Sequence, residues 1–330
     1  MGSGDSKPLK PEIPEPSRPS QRETSDTVTP EPSRTYQLQT SDIGHLLTKP
    51  EKEKLLTDKP WRQPSKFNFE HEQKIIEHIR KIQPEGKPNL LISGPVGAGK
   101  SAFISALISI GEGTKNSRAQ SGSSATSFTV KYIGYSQKTL IKHFILRDMM
   151  GIEPNDGAGF HVEDFIYLVK GHIKNKYTFN PASPITPSDS NFRATPEPMD
   201  VIHCVIFVIS AVDVYNDIPE MYIRKIGQLQ DNLRMERIPR ILVLTKIDQL
   251  CKKVQEDINN IFRSIKVQKV VKTASEVFHI DQASIHPVVN YEDTGTLTPE
   301  QNIPLLLALE QSMVYADGRV QQSKDDEEIR

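Results

Sequence analysis

From about Phe67 onward the chain alternates short apolar runs with stretches of helical spacing, and ahead of that point it shows neither pattern. Ile75, Ile76, Ile79 and Ile82 in EHEQKIIEHIRKI fall on one helical face, and Pro84 ends the run. NLLISG (89–94) reads as a short buried strand and KSAFISALISI (100–110) as the helix directly after it. SFTVKYIGY (127–135) and TLIKHFILRD (139–148) follow as two strands with a short connection, which predicts an antiparallel pair. Val162, Phe165, Ile166, Val169 and Ile173 mark a helix. Beyond it come a strand at 201–211, a helix at about 219–235, and the strand RILVLT (240–245). Helices near 253–264 and 267–277, the strand IHPVVN (285–290) and a last helix at about 299–315 complete the pattern. Strands alternating with helices predict a three-layer α/β domain whose central sheet is mostly parallel and covered on both faces.

Two stretches fall outside this pattern. The segment 111–127 is polar and rich in Gly, Ser and Thr, long enough to be a functional loop. A Pro/Ser/Thr-rich loop at about 174–200 reads as a surface insertion. Residues 1–66 hold 10 of the 24 prolines and just 12 hydrophobic residues, too few to offset the entropy of ordering, so they are expected to form a disordered arm. The expected organisation is therefore an arm at 1–66, a folded domain at 67–317 and a solvated acidic tail at 318–330 ending in DDEEIR.

Charge narrows the partners. Lys plus Arg total 41 against 42 Asp plus Glu, so the net charge of −1 offers no global attraction for nucleic acid or an anionic membrane. The run VIHCVIFVISAV (201–212) is well short of the roughly 20 residues a spanning helix needs, and no transmembrane segment is expected. Gly2 and Ser6 fit the N-myristoylation pattern MGxxxS, which a chance match explains at least as well. Two cysteines, Cys204 and Cys251, cannot build a disulfide framework or a zinc site, and a reducing, cytoplasmic location is the expectation.

The candidate chemistry begins at Gly94–Ser101. GPVGAGKS satisfies GxxxxGK[ST] with a predicted strand before it and a predicted helix after it. Gly94, Gly97 and Gly99, with Ala98 between them, let main-chain N–H groups turn inward around a phosphate, and the helix N-terminus adds positive potential. Lys100 would reach the β and γ phosphates while Ser101 offers its hydroxyl to Mg²⁺. A carboxylate is then needed at the end of a strand near that loop. Asp148 in DMMG ends an apolar run and would hold Mg²⁺ through water, with the N–H of Gly151 on the γ-phosphate; Asp156 in DGAG is a rival that lies mid-loop. Thr126, in the polar loop, is the candidate to meet Mg²⁺ and γ-phosphate, with Thr114 and Thr129 as rivals.

Thr245, Lys246 and Asp248 in ILVLTKID form the base-reading candidate. A carboxylate accepts from both N1–H and N2–H₂ of guanine, whereas adenine offers no donor on that edge and would leave the carboxylate unpaired. Lys246 would lay its stem across the base. Asn290, ending the strand at 285–290, joins this set, with Tyr291 beside it. DxxG and [NT]KxD are short enough to recur by chance, and they gain weight here from their order along the chain. The residue after Gly151 is Ile152, where many GTPases place a Gln to orient water, so any hydrolysis is expected to be slow and no catalytic residue is assigned. Two other classes compete. A small-molecule P-loop kinase would need an Arg-rich lid, yet 174–200 contains just Arg193; a scaffold with decayed binding would gain no stability from nucleotide.

Through GPVGAGKS, DMMG, TKID and VVNY, with PWR at 60–62 ahead of the domain, the chain resembles the interferon-induced protein 44 family over about residues 58–317. The resemblance implies a Ras-like P-loop domain that binds GTP or GDP with Mg²⁺, in a cytoplasmic, interferon-inducible protein of antiviral innate immunity. A γ-phosphate held by Lys100, Thr126 and Gly151 would order the loops at 111–127 and 149–160, so the expectation is a nucleotide-dependent switch or scaffold that shows or hides a surface for a partner protein or a second copy. Some longer members carry a TLDc domain ahead of the nucleotide domain, for which the 66 residues here leave no room.

Overall fold

The computed structural model describes residues 55–64, 67–114, 130–155, 158–291 and 296–328. Helix α1 (Phe69–Lys81) is started by Asn68, whose side chain accepts from the His71 N–H, and it carries Glu70 and Glu72 in its first turn and His78, Arg80 and Lys81 in its last, matching the helix dipole at both ends. Strand β1 (Asn89–Ser93) is buried throughout and runs into helix α2 (Lys100–Glu112). Strands β2 (Ile133–Tyr135) and β3 (Ile145–Asp148) precede helix α3 (Val162–Val169). Strand β4 (Ile202–Ser210) leads through the short α4 (Ala211–Tyr215) to α5 (Glu220–Met235). Strand β5 (Arg240–Thr245) is followed by α6 (Ile247–Leu250), α7 (Lys252–Glu256) and α8 (Ile265–Phe278). Strand β6 (Ile285–Pro287) and the long α9 (Pro299–Glu328) close the chain.

The six strands form one sheet in the order β2-β3-β1-β4-β5-β6. All neighbouring pairs are parallel except β2 with β3, which is antiparallel as its spacing predicts. α1, α2 and α9 pack together on one face, with α9 lying on β1, β4, β5 and β6; α3, α5 and α8 pack in series on the other. The fold is thus the expected three-layer α/β arrangement. Because β1, β3, β4, β5 and β6 all point the same way, their C-terminal ends share one edge, where ligands bind in open parallel sheets.

The structure departs from the sequence reading in several places; the expected helix near 253–264, for one, is broken into α7 and a 3-10 turn at Ile258–Asn260. Residues 139–144 are a turn rather than the first half of a strand. Gln137, Leu140, Ile141 and Phe144 are buried at a spacing of three and four, and the Gln137 amide donates to the Ile108 carbonyl of α2 at 2.5 Å. Folded structure also begins ahead of Phe67. Leu56 bridges to Ser264, the N–H of Trp61 donates to the Phe262 carbonyl at 2.9 Å, and the Trp61 and Phe262 rings meet edge to face at 5.5 Å. The insertion is exposed over most of its length, as a surface insertion should be, but burying Tyr177, Phe179 and Ile185 pins its first part to the domain. Finally, α9 runs well past 315, because Leu309, Met313, Ala316 and Val320 continue one buried stripe. Among the described residues no helix is long and apolar enough to cross a membrane.

Candidate functional site

The phosphate-loop candidate lies where β1 hands over to α2. Gly94 sits at φ +146°, and a Cβ added there would lie 2.0 Å from the Val208 carbonyl oxygen of β4, so the close approach of the two strands demands glycine. Gly99, at φ +90°, precedes the first residue of α2, which leaves the N–H groups of the first helical turn unpaired within the helix and directed at the loop. Ala98 is buried, Gly97 and Gly99 have positive φ, and Ser101 is half-buried in the first turn of α2. Lys100 is 7% exposed and folds back over its own loop, donating to the carbonyls of Gly94 at 3.0 Å and Pro95 at 2.9 Å. Burial pulls its ammonium down to about 8, against the opposing charges of Asp148 and Glu153.

Asp148 ends β3 beside Ile92 of β1 and is 1% exposed, which places a hard oxygen donor next to the loop. The chain then crosses the loop. Ile152 donates to the Gly94 carbonyl at 3.0 Å and accepts from the Val96 N–H at 3.1 Å, and Pro95 pairs with Ile152 in a parallel bridge. Gly151 consequently lies so near that a Cβ there would sit 2.6 Å from the Val96 side chain and 3.0 Å from Lys100 Nζ. Lys225 of α5 holds the next stretch, donating to the carbonyls of Glu153 at 2.8 Å and Asn155 at 3.2 Å. No sequence pattern marks Lys225 or the bridge at Ile152, since both contacts are tertiary.

The base-side residues come from β5 and from the segment after β6. Lys246 turns through a left-handed conformation, φ +58°, an uncommon geometry for a residue with a side chain, and this bend puts Asp248 in the first turn of α6. Thr245 is fully buried, and its hydroxyl donates to the Ala98 carbonyl at 2.6 Å. Asn290 donates from Nδ2 to the Gly99 carbonyl at 3.1 Å, while its Oδ1 is buried with no hydrogen-bond partner. Gln301 of α9 supports that segment from behind, donating to the Asn290 carbonyl at 2.9 Å. Tyr291 is turned the other way, its hydroxyl taken by the Thr298 N–H and by Asn302 of α9, each at 2.8 Å.

Gly94, Gly97, Ala98, Gly99, Lys100, Ser101, Asp148, Gly151, Thr245, Lys246, Asp248 and Asn290 therefore gather along one edge of the sheet. Thr126, Thr129 and Asp156 lie outside the described residues. Thr114 follows the C-terminal end of α2, about 20 Å from the loop by helix rise, and cannot reach the loop from there. The donor set suits the expected ligands. A hydroxyl and a carboxylate beside a lysine and inward-turning main-chain N–H groups match a magnesium-bound phosphate, and the orphaned Asn290 Oδ1 still seeks a donor.

No family model matches the chain. It is 32% identical over 256 residues to the human interferon-induced protein 44-like, covering 75% of this chain and 56% of the relative. Over that span it is homologous to the interferon-induced 44 proteins. The mouse interferon-induced protein 44 is 28% identical over 251 residues, 74% of this chain and 59% of the relative, so the chain spans little more than half the length of the interferon-induced 44 relatives it matches. Among solved structures, Toc33 from Arabidopsis thaliana in complex with Mg²⁺ and GMPPNP is 13% identical at a TM-score of 0.42, with 77% of this chain and 95% of that one covered. A probable GTP-binding protein EngB is likewise 13% identical, at a TM-score of 0.39 and coverages of 71% and 99%.

Proposed function

We propose that the chain binds a guanine nucleotide with Mg²⁺ at this edge of the sheet and that it serves interferon-induced antiviral immunity by binding rather than by rapid turnover. One observation carries the reading: both base-side segments are hydrogen-bonded to the phosphate loop, Thr245 to Ala98 and Asn290 to Gly99, so the two halves of a nucleotide site are joined in one unit. The main-chain N–H groups of 97–100 and Lys100 would hold the phosphates, Ser101 and Asp148 would face Mg²⁺, with Thr126 from the adjoining loop, and Gly151 would meet the terminal phosphate. Asp248 and Lys246 would read and cover the base, with Asn290 beside them and Thr245 acting through the loop it braces. The bound Mg²⁺ would neutralise phosphate charge. Ile152 is 2% exposed and its main chain is tied to the loop, so its side chain cannot orient an attacking water; this supports slow hydrolysis. The nucleotide-bound loops would then present a surface to a partner protein or a second copy in the cytoplasm.

A nucleotide-indifferent scaffold is the competing reading, favoured by the engagement of Lys100 with its own loop's carbonyls. Titrating the purified chain with labelled GTP and ATP in Mg²⁺ separates the two. We expect GTP preference, a loss of about 100-fold in affinity for Lys100→Ala, equivalent to 2–3 kcal/mol of charge-assisted contacts, and near-equal GTP and ATP affinity for Asp248→Ala. A GTP preference that survives Asp248→Ala removes the base-reading assignment. Absence of any binding, with no gain in melting temperature at millimolar nucleotide, establishes the scaffold instead.

A further inference from the structure

The insertion after α3 is the feature that the nucleotide site leaves unexplained. Its first half forms a small antiparallel ladder with the stretch entering β2. The N–H of Tyr132 donates to the Tyr177 carbonyl at 2.8 Å, that of Lys176 to the Tyr132 carbonyl at 2.7 Å, and that of Phe179 to the Val130 carbonyl at 2.9 Å. Asn175 extends the contact by accepting from the Gly134 N–H of β2 at 3.0 Å. Its middle grips the start of α3. Asp164, fully buried, accepts from the Ile185 N–H at 2.7 Å, the Tyr177 hydroxyl faces the same carboxylate, and a His161 ring nitrogen meets the Pro181 carbonyl at 2.9 Å. Aromatic rings run between the two ends, Tyr177 to Phe179 at 5.2 Å, Phe179 to Phe160 at 5.9 Å and Phe160 to Phe165 at 6.4 Å. The far half is braced by Arg193, which donates to the Gly171 carbonyl at 2.7 Å and pairs with Asp200 at 3.1 Å.

What these two ends hold is informative. Val130 lies just past the polar loop at 111–127, and Phe160 to Asp164 end the stretch that begins at Gly151. We propose that residues 175–185 of the insertion form a strut that couples the entry of β2 to α3, so that displacing one displaces the other. This short segment is hydrogen-bonded to the β2 entry through 175–179 and to the start of α3 through 181 and 185, and it is pinned by buried Tyr177, Phe179 and Ile185, so it transmits a displacement of one side to the other. The coupling stands on contacts within the ligand-free chain; its use in relaying nucleotide binding from Gly151 to the β2 edge rests on the function proposed above.

Amide hydrogen exchange on the full chain tests it, first without nucleotide. Asp164→Ala should speed exchange about fivefold or more at Tyr132 and Phe179, which donate across the ladder. Asp164→Asn, which keeps the side-chain shape, should act in the same direction to a smaller extent and serves if Asp164→Ala does not fold. Faster exchange confined to Ile185 in both Asp164 variants, with Tyr132 and Phe179 unchanged, overturns the strut. A second arm adds GTP and Mg²⁺. Protection should change at both 130–135 and 160–168 in the unaltered chain, and the change at 130–135 should be lost in Asp164→Ala. A chain that binds no nucleotide fails the proposed function, and the ligand-free arm alone then decides the strut.

Discussion

Thr245 shows how a single hydroxyl joins the two halves of the site. Its side chain is fully buried at the end of β5, and the 2.6 Å bond to the Ala98 carbonyl gives that carbonyl a donor in a place water cannot reach. Thr245→Val keeps nearly the same volume and removes the donor, leaving a buried acceptor unmatched, which costs about 1–3 kcal/mol. Urea unfolding should show that loss for Thr245→Val and little change for Thr245→Ser, and nucleotide affinity should fall with the valine as the phosphate loop loses its brace. Equal stability of the two variants would mean that the loop is held by its glycines alone. The TKID pattern identified this residue, yet it pointed to the base. Pattern reports which residues recur near a ligand, whereas the direction of a side chain is fixed by what surrounds it, here Ala98 on one side and Ile209 on the other.

Strand β4 carries the clearest element-scale prediction. His203, at its start, is 3% exposed, and its Nδ1 accepts from the Asn89 N–H of β1 at 3.1 Å. Burial, with Arg319 of α9 nearby, lowers its pKa to about 4 from an ordinary 6.5. Between those values the unfolded chain takes up a proton that the folded chain refuses. The stabilisation is therefore complete above pH 6.5 and is lost as pH falls toward 4, by on the order of 3 kcal/mol. His203→Asn retains an acceptor for Asn89 without the titration, so its urea midpoint should fall less steeply across that window; parallel curves would refute the assignment. His286, also lowered to about 4 by burial, accounts for part of the slope that remains. The same strand was among the most legible in the sequence, as were β1, β5, α1 and α5, because runs buried on both faces and helices with one apolar face carry their own periodicity. The turn at 139–144 was misread since its buried residues satisfy a strand's length and an apolar count equally well. The tertiary contacts of Ile152, Lys225 and the strut gave no signal, because main-chain bridges and lysine-to-carbonyl bonds place no demand on residue type that a single sequence displays, and the pairing of Asp164 with Ile185 and Tyr177 joins residues far apart in the chain.

At the scale of the whole molecule, α9 ties the two ends of the sheet together. Thirty residues give it a length of about 45 Å, its N-terminal part supports Asn290 through Gln301, and its last turns reach the opposite edge, where Val320 is 5% exposed and Arg319 approaches the Glu236 carbonyl at 3.5 Å. There Arg319, Val320, Ser323 and Lys324 form one wall of a cavity of about 820 Å³ whose opposite side includes Met199, Val201 and His203. Removing residues 317–330 opens that wall without touching the nucleotide edge, since Asp317 lies about 24 Å along the helix from Gln301. Burying one valine contributes about 1.5–3 kcal/mol, so the shortened chain should melt lower by several degrees while its affinity for nucleotide stays within about twofold. Water admitted to His203 would also raise its pKa back toward 6.5, since the burial that holds it down is gone and Arg319 with it. The shortened chain should then lose less stability between pH 6.5 and 4 than the full chain, and His203→Asn should no longer flatten its curve. If the acid sensitivity survives truncation undiminished, His203 is kept dry by β1 and the insertion, and the end of α9 has no part in it.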